Sequence, residues 1–201
     1  MYCVGLTGNI GSGKSTAIRD FQDLGIDTVN ADLVAREITL KGMPALKKIV
    51  LKFGEQIIKA DGELDRLALR KIIFSDYNAR IWLESLLHPL IKESIKQKLA
   101  SVSSTYCVIE IPLLKNKADY PYLDRVLVIL ADKEQQIKRI MQRDNCDPKQ
   151  ALAILAAQPD ELLRKNMADD LIINTGSRNK LANRIKKLHE KYLQFASEKS
   201  L

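Results

Sequence analysis

The sequence predicts an α/β fold in which a parallel sheet is flanked by helices. Strand-like and helix-like segments alternate from the N-terminus, the strand-like segments are continuous apolar runs, and a glycine-rich loop joins the first strand to the first helix. A mainly helical segment at about 41–103 predicts a substrate subdomain within this single domain. The core then comprises about 1–40, 104–132 and 168–201, and a helical lid spans about 133–167.

Short apolar runs and helix-start signals predict the individual elements. The strands are expected at 2–6, 26–29, 106–111, 126–130 and 171–173. Apolar residues at helical spacing fill the segments between them, and Pro89 is expected to kink or break a long helix between 81 and 99. Asp147 with Gln150 predicts a capping box, and Ser177 can cap the last helix.

The composition narrows the functional class. The chain has 201 residues, of which 46% are hydrophobic and 28% charged, and this is ordinary for a globular protein with one substantial core. Its net charge of +7 indicates anionic ligands such as nucleotides, nucleic acid or a membrane surface. No apolar run approaches the roughly 18 residues that span a bilayer. Because the first strand also begins without a charged leader, we expect a cytoplasmic protein with no membrane partner.

The cysteine pattern agrees with a reducing compartment. The chain has three cysteines, Cys3, Cys107 and Cys146, and their spacing is not that of a metal site. Cys3 and Cys107 fall inside apolar runs, so we expect both in strand cores.

The loop after the first strand carries a phosphate-binding signature. Residues 8–15 read GNIGSGKS and match every fixed position of G-x-x-x-x-G-K-[ST]. Glycines let the backbone turn several N–H groups toward a polyphosphate, and the helix that follows directs its positive end at the same anion. Lys14 supplies a charge for the β- and γ-phosphates, and the Ser15 hydroxyl is a ligand for Mg²⁺. The loop therefore predicts the parallel-sheet fold of P-loop nucleoside triphosphate hydrolases. The predicted nucleotide-binding residues of this loop are Gly11, Ser12, Gly13, Lys14, Ser15 and Thr16.

Other P-loop chemistries need features that this sequence lacks. Residues 116–119 read NKAD and match a guanine-reading motif, but no glycine between 20 and 110 follows an acidic residue by three positions, as γ-phosphate sensing requires. A motor would need a longer chain and paired carboxylates at a strand end, where only Glu110 stands. Arg139 and Arg143 share one helix face, from which mobile arginines can close over phosphates, so phosphoryl transfer is favoured. A solvated helix face is the alternative for both.

A series of motifs running from about residue 4 to residue 175 resembles the dephospho-coenzyme A kinase family. These motifs are Gly5-Leu6-Thr7-Gly8, Gly11-Ser12-Gly13-Lys14-Ser15-Thr16, Ala31-Asp32 with Ala35-Arg36, Phe53-Gly54, Asp61-Gly62 with Arg66, Leu87-His88-Pro89, Pro112-Leu113-Leu114, Gln136 with Arg139 and Arg143, Gln158, and Ala168-Asp169 with Asn174. The resemblance implies transfer of the ATP γ-phosphate, with Mg²⁺, to the ribose 3′-hydroxyl of dephospho-coenzyme A. It also implies that Arg143 and Asn174 bind the nucleotide and that Arg66 and His88 contact the acceptor. The alternative for Arg66 is a solvated side chain, and the alternative for His88 is a histidine packed in the core.

Two positions depart from the family pattern. Asn30 stands where the family often has Asp, which leaves Asp32 as the carboxylate after the second strand. Lys115 and Asn116 stand where the family typically has an apolar residue and Glu, so no role of that Glu carries over. Neither departure lies in the phosphate-binding loop.

A ribose hydroxyl needs a carboxylate to orient it and to accept its proton. By its place after the second strand and by the resemblance, Asp32 is the predicted base, with a helix N-cap as the alternative. Lys14 and Arg139 complete the predicted catalytic set. Glu110 is expected either to hold a magnesium-bound water or to be an ordinary strand-end carboxylate.

Two other functions compete with this prediction. One is a different small-molecule or nucleotide kinase, which trials of acceptors would separate. The other is a nucleotide-dependent module that binds nucleic acid, with affinity falling steeply as salt rises. No basic stretch is interleaved with aromatic residues, and Lys186, Lys187 and Lys191 lie on the wet face of an amphipathic helix, so we expect no nucleic-acid partner. A monomer or small homo-oligomer is expected.

Overall fold

The computed structural model describes residues 1–156, 158 and 161–199, so part of the predicted lid and the C-terminal end lie outside the described residues. The strands are β1 (Tyr2–Gly8), β2 (Asp27–Asn30), β3 (Tyr106–Glu110), β4 (Arg125–Ala131) and β5 (Asp170–Asn174). The helices are α1 (Lys14–Asp23), α2 (Ala31–Glu37), α3 (Pro44–Phe53), α4 (Arg66–Ser75), α5 (Tyr77–Ala100), α6 (Lys133–Asp144), α7 (Pro148–Ala156), α8 (Glu161–Met167) and α9 (Arg178–Lys199). Short 3₁₀ helices span Glu55–Ile57 and Lys117–Asp119.

Two compact units make up the chain. One contains Met1–Asn30 with Ser101–Leu201 and carries the sheet, and the other is Ala31–Ala100, which is helical. The assignment of a substrate subdomain and a lid remains a prediction. In the described part of the chain, no helix is both long enough and apolar enough to cross a membrane.

A five-stranded sheet with the order β2-β3-β1-β4-β5 forms the centre of the first unit. All neighbouring strands run parallel, which confirms the predicted fold class. The carboxyl ends of the strands therefore lie at one edge of the sheet. The crossover after β1 leads to β2 on one side, and the crossover after β3 leads to β4 on the other. This edge therefore has its topological switch point between β1 and β3, where ligands bind in open α/β sheets.

The sheet is buried as its apolar runs predict. Every residue of β1 and β3 is buried, as expected for strands covered on both faces. Against this sheet, the rings of Phe21 from α1 and Tyr192 from α9 pack with that of Tyr106, at centroid distances of 5.6 to 6.4 Å. Each such ring stabilises the fold by roughly 1.5–3 kcal/mol through burial alone.

The two strand cysteines lie where the sequence predicts. Cys3 and Cys107 are register partners on β1 and β3, and both are buried. Burial raises the pKa of the Cys3 thiol to about 11 and that of Cys107 to about 12, so both stay protonated at neutral pH. They behave as core residues rather than as reactive thiols.

Helix ends follow the predicted signals, with one exception. Asp147 and Gln150 form the reciprocal capping box at α7, and the Ser177 hydroxyl accepts from the backbone amide of Lys180 at 3.5 Å. The predicted break at Pro89 is wrong, because α5 continues through it.

The second unit explains why α5 tolerates Pro89. Proline removes one backbone hydrogen bond, but apolar side chains of α5 on both sides of it are buried. They are Ala79, Leu83, Ile95 and Leu99. Burial of these side chains outweighs the loss of one bond.

A buried carboxylate joins β5 to β4 and α9. Asp170 accepts from Arg125 at 2.9 Å, from Lys191 at 2.6 Å and from the Tyr192 hydroxyl at 3.0 Å. Burial raises the pKa of the Asp170 carboxyl, but these three donors outweigh it and leave the pKa below its ordinary value. The network therefore stabilises the fold only while Asp170 is ionised.

We expect Asp170→Asn to lower the free energy of unfolding at pH 7 by about 2 kcal/mol, since hydrogen bonds to a charged group are lost. Because the folded-state pKa lies below the unfolded value, the wild-type advantage is complete above about pH 4 and is lost at lower pH. Urea unfolding of both proteins at pH 7 and pH 3 measures this. Glu84→Gln, which breaks an exposed pair with Arg80, is the control and should change stability by at most about 0.5 kcal/mol. A difference between wild type and Asp170→Asn that is unchanged at pH 3 would contradict the account.

Candidate active site

The phosphate-binding loop connects β1, which ends at Gly8, to α1, which begins at Lys14. A β-carbon at Gly8 would lie 2.0 Å from the Ile129 carbonyl oxygen, so only glycine fits against β4. Gly13 has a φ of 105°, and a β-carbon there would lie 2.5 Å from Asn174 Nδ2. The predicted loop residues occupy this loop and the first turn of α1, and they are Gly11, Ser12, Gly13, Lys14, Ser15 and Thr16.

Side chains of the loop itself surround its interior. Lys14 Nζ donates to the carbonyl oxygens of Gly8 at 2.8 Å and Asn9 at 2.9 Å, so its ammonium lies over the loop. The Ser12 hydroxyl is buried and has no hydrogen-bond partner within the described residues. Ser15 is exposed at the start of α1. The loop thus combines a cation, a buried hydroxyl and an accessible hydroxyl.

Asn174, at the end of β5, holds the backbone of the P-loop by a hydrogen bond. Its Nδ2 donates to the Ser12 carbonyl oxygen at 2.8 Å, and its Oδ1 accepts from the Gly176 amide at 3.1 Å. The side chain is buried. It therefore fixes the Ser12 peptide and the β5–α9 turn together. The role of Asn174 in nucleotide binding stays a prediction.

Arg139 approaches the loop from α6. Its guanidinium donates to the Gly11 carbonyl oxygen at 2.7 Å and to Gln135 Oε1 at 3.1 Å. Gln135 Nε2 in turn donates to the Thr175 carbonyl oxygen at 2.8 Å. The interpretation of Arg139 as part of a purely solvated face is therefore wrong, because this side chain contacts the P-loop.

Arg143, one turn further along α6, lies in a different setting. It is exposed and makes a bidentate ion pair with Asp144 at 2.7 Å. The hydrogen bonds to Asp144 raise the pKa of its guanidinium. The role of Arg143 in nucleotide binding stays a prediction.

The strand-end carboxylate Glu110 is buried and paired. Asn30 Nδ2 donates to Glu110 Oε2 at 2.6 Å, and the two residues are register partners on β2 and β3. Two carboxylates at this separation would repel each other. Asn30, the departure from the family pattern, thus replaces a charge repulsion with a hydrogen bond.

The acceptor-side residues predicted from sequence belong to the second unit. Asp32 is exposed in the first turn of α2, which begins at Ala31, so the helix does not use it as its N-cap. His88 is exposed on α5, and the packed-histidine interpretation is therefore wrong. Arg66 donates to Thr39 Oγ1 at 2.9 Å, and burial, followed by the charge of Arg36, lowers the pKa of its guanidinium.

The guanine-reading motif is excluded by its position. Lys117 Nζ donates to the Asp124 carbonyl oxygen at 2.7 Å and to Asp169 Oδ2 at 3.0 Å. Asp124 and Asp169 immediately precede β4 and β5, so these contacts lie at the amino ends of the strands, opposite the P-loop. Lys117 therefore has a structural role.

Sequence reasoning missed the contribution of α8. Arg164 is only 1% exposed, and its guanidinium donates to Asn9 Oδ1 of the P-loop. Asn9 Nδ2 also lies 3.5 Å from Glu161 Oε2. No motif marks this contact, because an arginine on a short helix is typical of a solvated surface.

A cavity of about 340 Å³ opens beside the same loop. Its lining includes Asn9, Lys133, Gln136, Leu152, Leu155 and Glu161. The volume falls in the range of small-molecule sites. The cavity lies between the P-loop and α6, α7 and α8.

The residues present fit a nucleoside triphosphate with Mg²⁺. The buried Ser12 hydroxyl and the Lys14 ammonium are donors for a polyphosphate, and the exposed Ser15 hydroxyl is a suitable magnesium ligand. Over residues 1–156, 158 and 161–199, no group of three or more acidic, histidine or cysteine side chains could hold a metal ion. A single hydroxyl suits Mg²⁺, which binds nucleotides mainly through phosphates and water.

Known proteins similar to this chain agree with the geometry. The family profile described as "CoaE: Dephospho-CoA kinase" matches residues 2–180. A relative from Legionella pneumophila (strain Paris), named dephospho-CoA kinase, is 51% identical over 199 residues and covers 99% of both chains.

Solved structures resemble this fold over nearly its whole length. A dephospho-CoA kinase structure from Campylobacter jejuni is 30% identical, covers 96% of this chain and 97% of its own, and has a TM-score of 0.70. A structure from Thermus thermophilus is 29% identical, covers 94% and 97%, and has a TM-score of 0.79.

We expect Asn174→Ala to weaken ATP binding by about tenfold, since the Ser12 peptide loses the bond that orients it. Isothermal titration with MgATP measures the affinity. Asn183→Ala, an exposed position on α9, is the matched control and should bind ATP as the wild type does. Unchanged affinity in Asn174→Ala would show that the loop holds its shape without this side chain.

Proposed function

This chain belongs to the dephospho-coenzyme A kinase family, and we propose how its residues divide the work of the reaction. The enzyme transfers the γ-phosphoryl group of ATP, with Mg²⁺, to the ribose 3′-hydroxyl of dephospho-coenzyme A. The product is coenzyme A, so this is the last step of its biosynthesis. The observation that carries this conclusion is the family match over residues 2–180, which includes the whole P-loop.

The P-loop binds the triphosphate of ATP. Backbone amides of Gly11, Gly13 and the first turn of α1 surround the phosphates, and the Ser12 hydroxyl adds a donor. Lys14 moves its ammonium from the Gly8 and Asn9 carbonyls to the β- and γ-phosphates. The loop backbone and the Ser12 hydroxyl are in place before ATP binds, so they stabilise developing charge at low reorganisation cost.

Ser15 would hold Mg²⁺ through its hydroxyl, and its exposure leaves room for the waters that this ion retains. When bound, the ion neutralises charge on the β- and γ-phosphate oxygens. Glu110 would hold a water of the bound ion, and the hydrogen bond from Asn30 orients its carboxylate.

Asp32 orients the acceptor and accepts its proton. As the 3′-oxygen forms a bond to the γ-phosphorus, the bond from that phosphorus to the bridging oxygen of ADP breaks, and the hydroxyl proton passes to the Asp32 carboxylate. Its exposure on α2 and its position just after β2 leave the carboxylate accessible to a substrate.

Arg139 and Arg143 neutralise charge on the phosphates during transfer. The contact of Arg139 with the Gly11 carbonyl supports this assignment, because it brings a guanidinium to the rim of the loop. Arg143 would exchange its exposed partner Asp144 for the nucleotide. Both belong to α6, the first helix of the proposed lid at about 133–167.

The helical segment at about 41–103 provides the acceptor subsite. His88 is exposed, and the Arg66 guanidinium is held by Thr39, so both can meet an anionic acceptor without repacking a core. A diphosphate-containing acceptor also suits the net charge of +7.

Three further features belong to this proposal. The enzyme is cytoplasmic, where ATP and reduced thiols are available. It has no nucleic-acid or membrane partner, because no basic stretch is interleaved with aromatic residues and no apolar run is long enough to span a bilayer. It acts as a monomer or a small homo-oligomer.

The function is tested by incubating the protein with MgATP and a panel of acceptors. The panel comprises dephospho-coenzyme A, adenosine and nucleoside monophosphates, and phosphorus NMR locates the new phosphate. Transfer to the 3′-position of dephospho-coenzyme A alone is the expected result. Preferred phosphorylation of another acceptor would instead identify a different small-molecule kinase.

We expect Asp32→Asn to lower turnover by roughly 10²–10⁴-fold, because the amide cannot accept the proton. ATP affinity should change little. Steady-state kinetics and ATP titration measure the two effects. Asp23→Asn, at the exposed end of α1, makes the same chemical change elsewhere and should leave turnover unaltered. Retained turnover in Asp32→Asn would refute the assignment of the base.

Arg139→Ala should lower turnover more than it weakens ground-state binding of ATP, because the guanidinium acts mainly on charge that develops during transfer. We expect a loss of about 100-fold in turnover. Comparison of kcat with the dissociation constant of MgATP measures the split. Equal losses in both quantities would make Arg139 a binding residue only.

A further inference from the structure

A buried arginine on α8 reaches the phosphate-binding loop from an element that no motif connects to it. Among the fully buried side chains of the described residues, that of Arg164 is the largest, and it is 1% exposed. Its guanidinium donates to the side chain of Asn9, the residue after the first loop glycine. A buried cation therefore lies directly against the P-loop.

A continuous chain of contacts runs from this cation to the P-loop lysine. Arg164 donates to Asn9 Oδ1, and the Asn9 main-chain carbonyl accepts from Lys14 Nζ at 2.9 Å. The other end of the Asn9 amide lies 3.5 Å from Glu161, one turn before Arg164 on α8. Two residues of α8 thus hold both ends of one loop side chain.

Stability alone gives a weak reason for this arrangement. Burial lowers the pKa of the Arg164 guanidinium, and the nearby Glu161 only partly offsets this. Replacing a whole buried ion pair by apolar residues of similar volume is often neutral or stabilising, so a buried charge is weak evidence of a stabilising role. A charge kept in such a place points to work at the site that it contacts.

We propose that Arg164 is a positioning residue for phosphoryl transfer, which acts through Asn9 to fix the P-loop and to place a positive charge beside the phosphate site. The proposal rests on the proposed function, because it assigns a residue to the same reaction. When the Asn9 side chain is fixed, the Asn9 carbonyl that accepts from Lys14 is fixed as well. Helix α8 therefore sets the position of the Lys14 ammonium before ATP binds. Since α8 belongs to the proposed lid, the contact couples lid docking to the geometry of the loop.

The coupling is tested with Arg164→Met, Asn9→Ala, the double variant and Arg164→Lys. Each single change should lower turnover with dephospho-coenzyme A by about tenfold. If Arg164 acts through Asn9, the double variant should also lose about tenfold rather than about 100-fold. Arg164→Lys keeps the charge but not the planar fork, and it should recover part of the loss. Lys149→Met, which removes one exposed charge from α7, is the control and should retain full turnover.

A second readout needs no acceptor. Saturating MgATP should raise the melting temperature of the wild type, and Arg164→Met should show a smaller rise. If the wild type transfers nothing to dephospho-coenzyme A, the proposed function fails while this readout still tests the coupling. If Arg164→Met does not fold, the turnover of Asn9→Ala and Arg164→Lys tests the proposal in its place. Additive losses in the double variant, or an unchanged turnover with a lower melting temperature, would overturn the proposal and make Arg164 structural.

Discussion

The structure depends on how the carbonyl groups of one short loop are held. For amides of the P-loop to face a phosphate, its carbonyls must turn elsewhere and find donors. Lys14 donates to the carbonyls of Gly8 and Asn9. Arg139 donates to that of Gly11, and Asn174 donates to that of Ser12. Side chains from three separate elements therefore impose the conformation that the glycines permit.

The parallel sheet makes this convergence possible. β1 lies in the middle of the sheet, so its carboxyl end has β3 on one side and β4, then β5, on the other. The helix after β4 supplies Arg139, and the end of β5 supplies Asn174, although these residues lie far from the loop in sequence. On the opposite side, the pair formed by Asn30 and Glu110 occupies the ends of β2 and β3. The polar groups at this edge are thus positioned by the strands rather than by the loops alone.

Local signals predict much of this arrangement from sequence. Apolar runs locate every strand of the described sheet, and the P-loop motif predicts the strand, loop and helix around it, because those features depend on near neighbours. The Asn9 contact of Arg164 is invisible to such reasoning, since it joins residues 155 positions apart. Pro89 fails as a helix breaker for a related reason, because tertiary burial of α5 outweighs a local preference. The catalytic roles of Asp32 and Arg139 remain proposals. The contact of Arg139 with the Gly11 carbonyl supports its role directly, whereas Asp32 is supported by its position and exposure.

The most direct test is a crystal structure with a non-hydrolysable ATP analogue, Mg²⁺ and dephospho-coenzyme A. Our account predicts the γ-phosphate against the loop amides and Lys14, with the 3′-hydroxyl within hydrogen-bond distance of Asp32. It also predicts that Arg139 and Asn174 still hold the Gly11 and Ser12 carbonyls. A triphosphate bound away from this loop, or a loop whose carbonyls have left these donors, would contradict it.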